Sequence, residues 1–250
     1  MIPPAIPRSA SFASPGPFTT HPIINNQTLG YFKIAVPACV AEQQEIAAYL
    51  DTKCEKIDSI IARQQEVIEK LKAYKLSVIT EAVTKGLNPD VRMKDSGVEW
   101  IGEIPADWNI VKVKQAFYRK NEKAQQENPV VLSLARSGVK IRDISANEGQ
   151  IAESYYNYNP VSVGDLLLNP MDLYSGANCS ISNVEGVISP AYVNLKNKEN
   201  YCSQFYDYYF KVQYWMMVLF AHGKGVSFDN RWTLTNETLM NFPIVAPSLD

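Results

Sequence analysis

From Ala41 to Lys85 the chain contains neither proline nor glycine, and apolar residues return at steps of four and three. They are Ile46, Leu50, Ile57, Ile61, Ile68, Leu71, Val78 and Ala82, with Cys54, Gln64 and Lys75 filling the gaps. This period predicts one long α-helix with a heptad seam. The faces between carry Glu45, Glu55, Lys56, Arg63, Glu66, Glu69, Lys70 and Lys72, a solvated mixed-charge surface. Gly86 is placed as the C-cap, and Pro89 follows just beyond it. At 1.5 Å per residue such a helix would be roughly 65 Å long. It cannot bury one apolar stripe on itself, so the seam residues are expected to pair with another helix.

After Pro89 the pattern changes to short apolar runs between turn residues. Strands are expected at Ile110–Val113, Val130–Leu134, Val161–Leu168, Val187–Leu195 and Phe242–Ala246. One helix is expected from about Tyr201 to Ala221, ended by Gly223. These elements predict an α+β chain: a long coiled-coil-forming helix, then a compact mixed α/β domain. The expected divisions are residues 1–30, rich in proline and serine and poorly ordered; 31–93, a closing strand and the long helix; and 94–250, the domain. The apolar run Tyr209–Phe220 is short and carries Lys211 and Gln213, which marks a buried helix rather than a membrane span. No charged segment followed by an apolar run opens the chain, so a cytoplasmic location is expected.

Composition adds little of its own. The formal net charge of −2 supplies no global basic field, so a nucleic-acid partner would have to meet a local patch or a more basic companion subunit. Cys39, Cys54, Cys179 and Cys202 are scattered without zinc-ligand spacing and read as free thiols. A search for catalytic parts finds none complete. "HGKGVS" (His222–Ser227) lacks the spacing of a phosphate cradle. Pro89-Asp90 and Glu99 lack the lysine a metal-dependent nuclease centre needs two places after the glutamate. "NPMD" (Asn169–Asp172) is similar to the "NPPY" loop of amino-methyltransferases, but Asp172 replaces the aromatic that stacks a flipped base, and no glycine-rich cofactor loop precedes it. It is read as a strand-end turn. No catalytic residue, metal or cofactor is assigned.

What remains is a spacer attached to a domain suited to recognition. Tyrosines concentrate in "ESYYNYNP" (Glu153–Pro160) and "NYCSQFYDYYF" (Asn200–Phe210), the second being expected to pack into the core of its own helix. Polar and basic residues in expected loops are the candidate DNA contacts: Lys140, Arg142, Tyr155, Tyr156, Tyr158, Tyr174, Ser175, Lys224, Asn230 and Arg231. The alternative is a coiled-coil protein-interaction module without DNA binding.

One phrase occurs twice. "FKIAVP" (Phe32–Pro37) runs into the long helix, and "FPIVAP" (Phe242–Pro247) stands near the end of the sequence. With the phrase, the helix start "ACVAEQQEIAAYLD", the segment "MKDSGVEWIGEIPADW" (Met93–Trp108) and "VSVGDLLLNP…GVISPAYV" (Val161–Val193), the chain resembles the DNA-specificity subunits of type I restriction–modification systems. The resemblance covers about Tyr31 to Asp250 and implies the following. Such subunits carry two target-recognition domains, each followed by a long helix. The two helices pack antiparallel, and each domain reads half of a split DNA site. Modification subunits bound around this scaffold methylate adenine, and restriction subunits cut. The resemblance assigns no base contacts, because such domains vary where they touch DNA. On this expectation the chain holds one helix and one recognition domain and is non-catalytic. It would form a homodimer or pair with another specificity chain through its helix. A two-fold pair would read an interrupted palindrome.

Overall fold

The computed structural model describes residues 36–144, 152–171, 173, 178–225 and 232–248. The segment 1–30 and the first four residues of the Phe32–Pro37 phrase lie outside the described residues. The chain divides into two compact units, residues 1–64 and 65–250, and the boundary falls within one helix.

That helix, α1, runs Val40–Lys85 without interruption, as the proline-free periodic stretch predicts. In the first unit every residue of α1 is exposed. In the second unit its last turns bury one face. Leu76, Ile79 and Thr80 are half-buried and Val83 and Thr84 fully buried, at the three- and four-residue steps of one helix face. Val83 shares a core with Ile101, Ile104 and Trp108. Gly86 ends the helix at φ +77°, where a β-carbon would be strained and would also press within 3.3 Å of the Trp108 ring.

The described residues of the second unit form twelve short strands. β1 (Met93–Asp95) and β2 (Glu103–Pro105) form a hairpin. β3 (Asn109–Lys112), the helical turn α2 (Val113–Ala116) and β4 (Phe117–Lys120) follow. β5 (Leu132–Ala135) and β6 (Gly138–Ile141) make a second hairpin. β7 (Asn159–Val161), β8 (Leu166–Leu168), β9 (Cys179–Ile181), β10 (Gly186–Ile188) and β11 (Val193–Asn197) come next. The chain closes with helices α3 (Ser203–Trp215), α4 (Val218–Ala221) and α5 (Asn236–Asn241), then β12 (Pro243–Ala246). The central sheet is antiparallel in the order β4-β11-β8-β9; β7 pairs with β10, and β12 with β3.

Strand β8 reads Leu-Leu-Leu because both faces of the sheet are covered. Leu166 and Leu168 point into the main core with Phe117, Leu195, Tyr206, Tyr209 and Phe210. Leu167 joins a smaller cluster with Leu132, Leu134, Val161 and Ile188. The tyrosine-rich second run therefore forms helix core, as expected. Tyr206 donates to the Val245 carbonyl at 2.8 Å and Tyr209 to the Pro243 carbonyl at 3.4 Å, fastening α3 along β12.

Three expected elements break where local chemistry intervenes. Val161–Leu168 is two strands, because Gly164 at φ +91° and an Asp165 N–H to Ser162 carbonyl bond turn the chain between them. Val187–Leu195 is likewise two strands, divided by a turn at Ser189-Pro190 closed by the Tyr192 N–H on the Ser189 carbonyl. The helix expected from Tyr201 begins at Ser203 and breaks at Met217, whose φ of +59° is left-handed. Among the described residues no helix is long and apolar enough to cross a membrane.

Candidate nucleic-acid interface

The first tyrosine-rich run is held as a surface ladder. Ala124 and Gln125 donate their N–H groups to the Tyr158 and Tyr156 carbonyls at 2.9 and 3.1 Å. Lys123 reaches the Asn159 side chain at 3.0 Å. The Tyr155 and Tyr158 rings meet edge to face at 5.1 Å. Tyr156 stands out at 45% exposure. An open cleft of about 460 Å³ lies beside them, lined by Gln126, Asn128, Pro129, Ile144, Tyr155 and Tyr156 among others. The Tyr155 hydroxyl is buried and finds no hydrogen-bond partner among the described residues.

Arg142 and Lys140 approach the same region from β6. The Arg142 N–H donates to the Val131 carbonyl at 2.8 Å, two residues from Pro129, and Ile144 of the cleft follows two residues later. Lys140, exposed, pairs across to Ser133 on β5. Five of the sequence-derived contacts, Lys140, Arg142, Tyr155, Tyr156 and Tyr158, thus belong to neighbouring elements. Lys224 sits elsewhere, on a bridge with Thr233. Beside it Gly223 packs so closely on the Trp232 indole that any side chain would collide. Tyr174, Ser175, Asn230 and Arg231 lie outside the described residues.

The ladder is anchored by a buried polar knot. Asp165 accepts from Lys120 Nζ at 2.7 Å, the Ser162 N–H at 2.8 Å and Asn194 Nδ2 at 3.2 Å. Only 4% of the Asp165 side chain and 13% of that of Lys120 remain accessible, so the pair is shielded from water. "NPMD" behaves as the expected turn: Asn169 Oδ1 accepts the Met171 N–H at 3.0 Å, and its carbonyl accepts the Tyr214 hydroxyl at 2.9 Å. Asp172 lies outside the described residues. The segment Met93–Trp108 acts as a clasp on the core. Trp100 stacks on Phe242 at 5.7 Å, and Trp108 meets Phe205 edge-on at 6.1 Å.

All four thiols are free; Cys39, Cys54 and Cys202 are exposed. Burial, reinforced by the Asp207 carboxylate, pushes the Cys179 thiol well above its ordinary range. The seam of α1 is open to solvent: Ile46, Leu50, Ile57, Ile61, Ile68, Leu71 and Val78 are each 44–60% exposed. Toward the end of α1, Val78 and Ala82 run into an apolar groove of about 820 Å³, walled by Leu87, Trp108, Tyr208 and Pro247.

One group went unrecognised in the sequence. Lys196 and Lys198 lie beside Tyr118, where β4 and β11 pair, and Lys198 Nζ donates to the backbone carbonyl of Lys114.

No family model matches the chain. A protein of Methanocaldococcus jannaschii, provisionally described as the type I restriction enzyme MjaX specificity subunit, is 29% identical over 144 residues. The match spans 57% of this chain but only 32% of that relative. Among solved structures, the HsdS subunit from Thermoanaerobacter tengcongensis is similar with a TM-score of 0.44 and 14% identity, over 95% of this chain and 54% of that one. A chain from a study of complex assembly and conformational transition of the type I R-M system gives 0.40 and 13%, over 83% and 48%. By sequence, the chain is similar to a type I restriction enzyme specificity subunit, of whose length the match spans about a third.

Proposed function

We propose that this chain recognises DNA sequence for a type I restriction–modification complex and directs adenine methylation and restriction by its partner subunits. The observation that carries the reading is the similarity to a specificity subunit. The long helix leading into an α/β domain is consistent with it. In this reading residues 31–93 are the spacer and 94–250 the target-recognition domain, in a cytoplasmic, non-catalytic subunit. Lys140, Arg142, Tyr155, Tyr156 and Tyr158 contact duplex DNA from the ladder and cleft. Tyr174, Ser175, Lys224, Asn230 and Arg231 contribute from the other loops. Arginine reads guanine, lysine binds phosphate, and tyrosine supplies contact area with a polar tip.

The open seam of α1 supports pairing with a second helix, from another copy or another specificity chain, as a coiled coil. The groove at its end extends the same apolar surface and would take the end of that helix. The modification subunits then assemble on the paired scaffold.

The test is a methylome. The chain is co-expressed with its modification subunit in a host lacking adenine methylation, and modified adenines are mapped by long-read sequencing. A two-part palindromic motif is expected. Unmodified DNA, with the modification subunit expressed and soluble, would end the reading of the chain as sufficient for specificity.

A further inference from the structure

We propose that Lys196 and Lys198 beside Tyr118, together with Lys114 on the adjoining helical turn, form a contact surface for the phosphodiester backbone of duplex DNA. The inference rests on the reading of the chain as a DNA-specificity module and assigns a surface to part of that binding.

The residues come from two distant parts of the chain, Lys114 from α2 and Lys196 and Lys198 from the end of β11. Lys196 on β11 is the ladder partner of Tyr118 on β4, so the two side chains leave the same face of the sheet. Lys198, two residues on, returns to that face; its Nζ lies 4.5 Å from the Tyr118 ring centre and donates to the Lys114 carbonyl at 2.8 Å. The Lys198 N–H donates to the Ala116 carbonyl at 2.9 Å, which fixes the end of β11 against α2. Tyr118 is 61% exposed, and Lys114 and Lys196 are exposed. This geometry sets Lys196 and Lys198 beside an exposed phenol, with exposed Lys114 on the neighbouring turn.

Among the described residues none of the three lysines has a carboxylate partner. The ion pairs of the described residues that involve lysine use Lys70, Lys72, Lys120 and Lys211. Glu199, the adjacent acid, is exposed and forms no ion pair with them. Like charges assembled without a counter-charge destabilise the free domain, and a bound polyanion relieves that repulsion. The local excess of positive charge is the feature that a chain of net charge −2 would need in order to meet DNA.

DNA is favoured over an acidic protein by continuity. β4 leads from Tyr118 through Lys120 and Lys123 directly into the ladder that holds Tyr156 and Tyr158. Seven residues separate Tyr118 from Gln125, a reach of at most about 25 Å. A duplex lying on the tyrosine ladder would therefore have backbone within range of the lysine cluster. The lysines fix position and supply affinity without reading sequence.

The test measures binding of the full chain to a duplex of random sequence between 50 and 200 mM salt. Each lost phosphate contact lowers the slope of log K against log salt by about 0.9. The double variant Lys114→Gln/Lys196→Gln should flatten the slope by up to about 1.8. Lys196→Arg should retain it, and a matched charge loss at Lys56 and Arg63 on α1 should leave it unchanged. Unchanged far-ultraviolet circular dichroism establishes that the variants fold. An unaltered slope in the double variant, beside a salt-dependent wild type, would assign the patch to another partner and overturn the proposal alone. A wild-type chain with no binding even at 50 mM salt would overturn both the proposal and the DNA reading beneath it.

Discussion

Asp165 shows how a single carboxylate organises a surface. It ties β4, through Lys120, to β11, through Asn194, and also closes the turn before β8. Removing one partner of a shielded ion pair leaves the other uncompensated, at a cost of about 3–5 kcal/mol. Asp165→Ala should therefore lower Tm by roughly 6–20 °C in a domain of this size. The apolar pair Lys120→Met/Asp165→Leu should recover most of the loss, because no unpaired charge remains. Calorimetry on the three proteins checks both expectations. Cys179 behaves in the opposite sense to the surface thiols. It is buried, and its thiolate is disfavoured by burial and by Asp207. An aromatic disulfide reagent near pH 8 should label Cys39 and Cys202 promptly, Cys54 promptly in dilute protein, and Cys179 only as the domain unfolds. Prompt labelling of all four would contradict the packing of β9 against α3.

At the scale of elements, α1 is the decisive feature. If its seam pairs, Ile61→Asp or Leu71→Asp buries an unpaired charge between helices and should abolish self-association. The mass from light scattering checks this. Cys54, within the seam, should also label more slowly as protein concentration rises. The helix was legible because its forty-six residues carry no proline or glycine and keep one apolar period. The domain was legible in kind but not in detail. The expected strand Val161–Leu168 ran across Ser162, Gly164 and Asp165, where a left-handed turn at Gly164 divides it into two strands. Strands β1, β2, β4, β6 and β9 went unrecognised, being three or four residues long with little alternation. The candidate interface was half legible. Tyrosines cluster in sequence and could be seen, whereas Lys114 and Lys198 are 84 positions apart and meet only through the β4–β11 ladder.

At the scale of the whole molecule, the core of the second unit is unusually phenolic. Tyr206, Tyr209 and Tyr214 are buried, and burial raises each well above the ordinary phenol range. In the unfolded chain these groups ionise near pH 10. Above that pH the unfolded state has lost protons that the folded state keeps, so stability falls as pH rises. Below it their contribution is fully present. Thermal melts from pH 8 to 11.5 should show a flat Tm up to about pH 10 and then a steep decline. Tyr206→Phe should soften the decline while lowering Tm at neutral pH. The same hydroxyls do something else. The Phe242 carbonyl faces β3, where it takes the Val113 N–H, so by alternation Pro243 and Val245 turn their carbonyls to the outer edge of β12. Those are the two acceptors that Tyr209 and Tyr206 occupy, and Pro243 has no N–H to offer. The outer edge of the last strand is chemically sealed. It offers little template for a stray chain to add a strand, which protects the domain from edge-to-edge aggregation. Two such domains would then not be joined at this edge by one sheet running on into the next.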